Sequence, residues 1–121
     1  MADNPAPQDI AQRTTDFALR IIKLYRHIEK DSIGRILGKQ LLRSGTSVGA
    51  NVQESRGAQS RADFIAKMSI AHKEILETNY WLRLLRESEI VPASRLTEIM
   101  DEATQLSKII AAILITSKKN R

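Results

Sequence analysis

Between residues 41 and 60 the chain reads LLRSGTSVGANVQESRGAQS, with Gly45 and Gly49 four residues apart among serines. The first chemistry such a stretch suggests is a phosphate cradle. A Walker loop, however, needs a glycine, four residues and then Gly-Lys-Ser/Thr, placed between a strand and a helix so that backbone N–H groups and the lysine meet the phosphates. Gly49 is followed by Ala50 and Asn51, and no strand pattern precedes it, so nucleotide binding is not expected. The next candidate is Glu74-x-x-Glu77. A carboxylate-bridged metal pair in a helical bundle takes Glu from two helices and Glu-x-x-His from the other two. Here the second position is glutamate, His72 precedes Glu74 by two and faces elsewhere, and the last third of the chain offers only Glu98, Asp101 and Glu102. No metal or other cofactor is expected on that ligand set. Ser44 and Ser47 lie inside a helical pattern, not on the strand-to-helix elbow of a serine hydrolase, and basic neighbours make Glu74 and Glu77 ion-pair acceptors before they make an acid and base. The reading is of a protein without enzymatic activity.

As helix, the same stretch has a different logic. Gly45 and Gly49 fall on one face, with Ser44, Ser47 and Ala50 beside them. Each glycine costs about 1 kcal/mol of helix stability relative to alanine, which points to a second helix backbone approaching closely, within the protomer or between protomers. A polar line runs alongside through Gln40, Arg43, Ser47, Asn51 and Glu54. Folding the following helix back about a turn near Gln59 brings Arg43 level with Glu74 and Glu77, and Asn51 level with Lys67. The expectation is a partly buried polar network, Arg43, Ser47, Asn51, Glu54, Lys67, Glu74 and Glu77, that fixes register more than it adds stability.

The elements that position these residues follow from apolar periodicity. Phe17, Ile21, Leu24 and Ile28 make one amphipathic helix, Asp16 to Glu29. Asp31-Ser32 offers a cap to a second, from Ile33 to Arg56, with Ile33, Ile36, Leu37, Leu41, Val48 and Val52 as its apolar stripe. Gly57 is the expected terminator, and Ser60 with Asp63 resembles a capping box opening a third helix. That helix carries Phe64, Met68, Ala71, Ile75, Thr78, Leu82 and Leu85 on one stripe. After Pro92 and Ser94, Leu96, Ile99, Ala103, Leu106, Ile110 and Ile113 form a fourth. The fold class is all-α, an antiparallel up-down-up-down four-helix bundle over residues 16–117, with a disordered tail over 1–15 and a basic tail over 118–121. One domain accounts for 121 residues.

Composition narrows the setting. The chain has no cysteine, which removes thiol catalysis and cysteine-held zinc and leaves a reducing compartment, the cytoplasm, as the expectation. MADNPAPQD lacks the basic start and apolar run of a secretory signal, and the longest apolar run, Ile109 to Ile115, is too short to span a bilayer, so no membrane role is expected. The net charge is +5, unevenly spread: Lys30 to Arg61 holds six bases against two acids, and the last four residues add three bases. A basic surface of this kind attracts polyanions. Phosphate contacts are expected from Arg35, Lys39, Arg56, Arg61, Lys118, Lys119 and Arg121. With two Phe, two Tyr and one Trp, base stacking is not the expected mode.

The stretch LLRSGTSVGANVQES, followed by DFIAKMSIAHKEILETNYWLRLL, resembles the small four-helix bundle proteins encoded within 23S rRNA intervening sequences, and is similar to the accessory variability proteins of diversity-generating retroelements. Arg43, Ser47, Asn51 and Glu54 match that family's Arg-x-x-x-Ser-x-x-x-Asn-x-x-Glu pattern, and Phe64, Ala71, Glu74 and Glu77 its following helix. The connection Glu29-Lys-Asp-Ser-Ile33 departs from the Pro-Lys-x-Glu found there in many relatives. The resemblance implies a ring, commonly a homopentamer, a basic surface directed at nucleic acid, and no established enzymatic activity. Two functions are therefore carried forward: a homo-oligomeric module for structured RNA or DNA, and a scaffold for a partner protein with no nucleic-acid role.

Overall fold

The computed structural model describes residues 7–119. Four helices follow in order: α1 (Pro7–Ile28), α2 (Ser32–Ser55), α3 (Arg61–Glu87) and α4 (Ala93–Lys119). Each packs on its chain neighbour and α1 closes on α4, which is the up-down-up-down bundle that the four apolar stripes require. No strand occurs among the described residues. The turns α1–α2 and α3–α4 share one pole of the rod; the turn α2–α3 and the end of α4 share the other.

The stop signals act largely as their chemistry dictates. Asp31 caps α2 by accepting from the Gly34 N–H at 2.8 Å. Ser60 caps α3 by accepting from the Asp63 N–H at 3.0 Å, while the Asp63 carboxylate accepts from Gln59 instead of from the cap residue, so the capping box is displaced by one position. Gly57 does not take the left-handed conformation expected of a terminator. The left-handed residue is Glu89, φ 61°, where α3 ends and the Val91 N–H turns back to the Leu85 carbonyl.

Two boundaries and one buried face differ from the sequence reading; α4 runs to Lys119, so residues 118–119, assigned to a basic tail, are helical. α1 begins at Pro7, so residues 7–15, assigned to a tail, are helical. Pro7 loses nothing at a helix start because its N–H would be unpaired there, and Ile10 and Thr14, both buried, carry the stripe of Phe17 and Ile21 back by two turns. Residues 1–6, which the tail also included, lie outside the described residues. On α2, Ile33 and Ile36 are 55% and 64% exposed and do not belong to the core. The buried face there is Gly34, Gly38, Leu41, Gly45, Val48, Gly49 and Val52. A periodicity read from large apolar side chains cannot register glycine as a core residue. On α4 the seam passes through Leu114, with Ile113 half-buried beside it.

The glycines of α2 form the bed on which α1 lies. A Cβ at Gly49 would sit 3.2 Å from the carbonyl oxygen of Thr14, and one at Gly45 3.0 Å from the side chain of Ile21. At Gly34 a Cβ would lie 2.5 Å from the carbonyl oxygen of Ile28, closer than any real side chain tolerates. The close approach anticipated at Gly45 and Gly49 is thus within the protomer.

Polar atoms join α2 to α3 inside the core. The hydroxyls of Ser44 and Thr78 are 2.9 Å apart and both residues are fully buried; Thr78 also lies 2.8 Å from the Glu74 carbonyl oxygen. Removing Thr78 leaves the buried Ser44 hydroxyl with only a 3.4 Å contact to the Leu41 carbonyl oxygen, whereas removing both leaves nothing poorly paired. Thr78→Val is accordingly expected to destabilise the fold by about 1–2 kcal/mol, and adding Ser44→Ala to recover part of the loss. Urea melts of the two single variants and the double variant measure this, and strict additivity would show that the hydroxyls do not act as a pair.

Candidate nucleic-acid interface

The polar line of α2 meets α3 as its spacing requires. One guanidinium nitrogen of Arg43 lies 3.2 Å from Glu74 and the other hydrogen-bonds Glu77, so the arginine bridges successive turns of α3. Trp81 completes the group, its indole N–H donating to the same Glu77 oxygen at 2.9 Å. In the last turn of α2, Glu54 meets Lys67 at 2.8 Å. Asn51, expected opposite Lys67, turns back to the Ser47 carbonyl at 2.9 Å within its own helix, because Glu54 offers the lysine a charge and the amide does not. Glu74 is 12% exposed and Arg43 48%, so half the arginine remains in water. The surface regime, about 0–1 kcal/mol per pair, governs here and not the several kcal/mol of a buried pair.

Donors hold the Glu77 carboxyl below the usual carboxylate range: the Arg43 hydrogen bond first, then the Trp81 hydrogen bond. A lowered folded value means that charged Glu77 stabilises the fold above its unfolded pKa of about 4.3, and that this contribution disappears as pH falls through the folded value. Trp81 is the single tryptophan. Its emission is expected to titrate in acid with a midpoint below about 4.3, and Glu77→Gln to abolish that step. A midpoint at or above the ordinary value would contradict the observed donors.

The ion pairs leave a number of exposed bases without a partner among the described residues. Arg13 is held by Glu102 at 2.7 Å across α1 and α4, a contact invisible to a reading that started α1 at Asp16; Arg83 is held by Glu87 at 2.7 Å. Arg35, Lys39, Arg56, Arg61, Lys118 and Lys119 are all exposed, and none has an ion-pair partner among the described residues. They do not form one stripe. Arg56, Arg61, Lys118 and Lys119 share the pole of the α2–α3 turn, where Arg61 stands beside Thr116 and Ser117 of α4. Arg35 and Lys39 stand toward the other pole, with the Arg35 side chain bonded to the Glu29 carbonyl. At roughly 1.5 Å per residue the two sets are about 30 Å apart along α2. Arg121 lies outside the described residues.

Sequence reading missed a third basic group, four of whose members stand at helical spacing on α1 and in the turn after it, while the fifth comes from α4. Where α1 and α4 diverge near the α1–α2 turn, an open groove of about 1040 Å³ is lined by Arg20, Lys23, Arg26 and Lys30 from one side and Arg95 from the other. Arg95 donates to Nε2 of His27 at 3.0 Å across it. Among the described residues no cluster of three or more His, Asp or Glu side chains is placed to hold a metal ion, and no helix is long and apolar enough to cross a membrane.

Comparison with known proteins places this architecture. No curated protein matches the chain. The crystal structure, at 1.70 Å resolution, of a protein of unknown function from the S23 ribosomal protein family of Bacteroides thetaiotaomicron is similar at 40% identity, with a TM-score of 0.85, over 89% of this chain and 96% of that one. The model of the 23S rRNA-intervening sequence protein family matches residues 7–112, which takes in the glycine bed, the Arg43 bridge and most of α4. The chain therefore belongs to the 23S rRNA-intervening sequence protein family.

Proposed function

We propose that the protein is a non-enzymatic, homo-oligomeric bundle that binds structured RNA or DNA through phosphate contacts at its basic poles. The observation that carries this is a set of exposed bases toward the two ends of the rod: Arg35, Lys39, Arg56, Arg61, Lys118 and Lys119 have no ion-pair partner among the described residues, whereas Arg13, Arg43, Lys67 and Arg83 are each held by a glutamate. Such residues attract a polyanion without reading its sequence. Assembly is supported by Ile36 of α2 and by Ile70, Leu76 and Tyr80 of α3, large apolar side chains left in water on the outside of the bundle. A ring of five copies, as the resemblance to accessory variability proteins implies, would give a solution mass of five times 13.6 kDa by light scattering.

The test is a fluorescence-anisotropy titration of nucleic-acid-free protein with a structured RNA and a duplex DNA at low and near-physiological salt. Submicromolar binding with a steep fall of log K against log salt is the expected result. Absence of binding at low salt removes the nucleic-acid function and leaves a scaffold for a protein partner.

A further inference from the structure

The groove between α1 and α4 opens at the pole toward which Arg35 and Lys39 stand, and differs from them in joining bases to an apolar floor. Its rim carries Arg20, Lys23, Arg26, Lys30 and Arg95, and the one carboxylate among its lining residues, Asp31, is turned to the N-terminus of α2 as a cap. Its floor is aliphatic: Leu24 of α1 and Ile90 of the α3–α4 turn, both half-buried, over Ile28, Val91 and Ile99, which are buried. No phenylalanine, tyrosine or tryptophan lines it, and its one aromatic ring, His27, is engaged by Arg95. A duplex backbone would use the rim and leave Leu24 and Ile90 uncovered. An occupant that uses both must present aliphatic side chains on one face and carboxylates at its edges.

We propose that this groove docks an acidic amphipathic helix of a partner protein. The groove follows α1 from Arg20 to Ile28, about 12 Å at roughly 1.5 Å per residue, which accepts two turns of a helix laid along the α1–α4 seam. Leucine or isoleucine at i, i+3, i+4 and i+7 would fill the floor, and flanking Glu or Asp would meet the arginines and lysines of the rim. The docking does not depend on nucleic-acid binding at the poles.

The probe is a fluorescein-labelled synthetic peptide of 18 residues, with leucines at that spacing and glutamate elsewhere on its flanks, beside a scrambled peptide of the same composition. Titrated with the full-length protein, the amphipathic peptide is expected to bind at least tenfold tighter than the scrambled one. Lys23→Glu with Arg26→Glu, both exposed positions, should weaken it at least tenfold, and Leu24→Glu should do the same while the helical circular dichroism signal is retained. Equal binding of both peptides would mean that charge alone is read, and would overturn the proposal. So would displacement of the bound peptide by structured RNA in proportion to the RNA bound, which would give the groove to nucleic acid. If no peptide binds and Leu24→Glu reduces the solution mass to that of a monomer, the groove belongs to a second copy of the chain and the proposal fails.

Discussion

Gly49→Leu is expected to destabilise the bundle by about 3 kcal/mol, with Gly49→Ala within about 1 kcal/mol of the original protein. The difference follows from what each side chain meets. An alanine Cβ would stand 3.2 Å from the Thr14 carbonyl oxygen, a contact that a shift of a few tenths of an ångström relieves, and the gain in helix propensity offsets the strain. Leucine adds three more carbons against backbone that cannot rotate away, so α1 must lift from α2 and the seats of Phe17 and Ile21 open with it. Gly34→Ala is expected to lose as much from one methyl group, because the Ile28 carbonyl oxygen already occupies its place at 2.5 Å. Gly57→Ala is the control: its Cβ would meet nothing nearer than 3.8 Å. Thermal melts resolve these cases readily, since about 4–8 °C accompanies each kcal/mol in a domain of this size. If Gly49→Leu melts with the original protein, α1 does not lie on that face of α2.

Those glycines also mark where sequence reasoning stopped short. Leu41, Val48 and Val52 were legible as core because they are large and correctly spaced, and they are buried. Ile33 and Ile36 satisfy much the same spacing and are exposed, since Gly34 and Gly38 hold the inner face and carry no hydropathy signal. The polar line was legible for a simpler reason. Arg43, Glu74 and Glu77 are placed by helix rise and by the position of one turn, and neither depends on side-chain size. Asn51 departed from its expected partner because level position fixes who can meet, not who wins, and Glu54 outcompetes an amide for Lys67. The basic groove was open to reading in part: Arg20, Lys23, Arg26 and Lys30 stand three, three and four residues apart, whereas Arg95 joins them only because the start of α4 meets His27 near the end of α1. The resemblance reached further than the periodicity did, since its motif residues fall within the family match over residues 7–112.

Reversing Arg56, Arg61 and Lys118 to glutamate is expected to lower affinity for duplex DNA by on the order of 100-fold at near-physiological salt. The figure follows from counterion release: three lost phosphate contacts reduce the slope of log K against log salt by about 2.7, which at roughly 0.15 M is about two decades before repulsion from the new carboxylates is added. The three residues suit the experiment because they are exposed and have no ion-pair partner among the described residues, so the helical signal and melting temperature should hold. Reversing Arg35 and Lys39 instead tests the opposite pole, where two contacts predict a slope change of about 1.8. If both poles touch one nucleic acid, the combined variant loses the sum of the two slopes; if one pole binds, only its own variant changes the slope. An affinity that survives both variants would mean that the unpaired charge at the poles serves solubility, and that polyanions are not what this bundle holds.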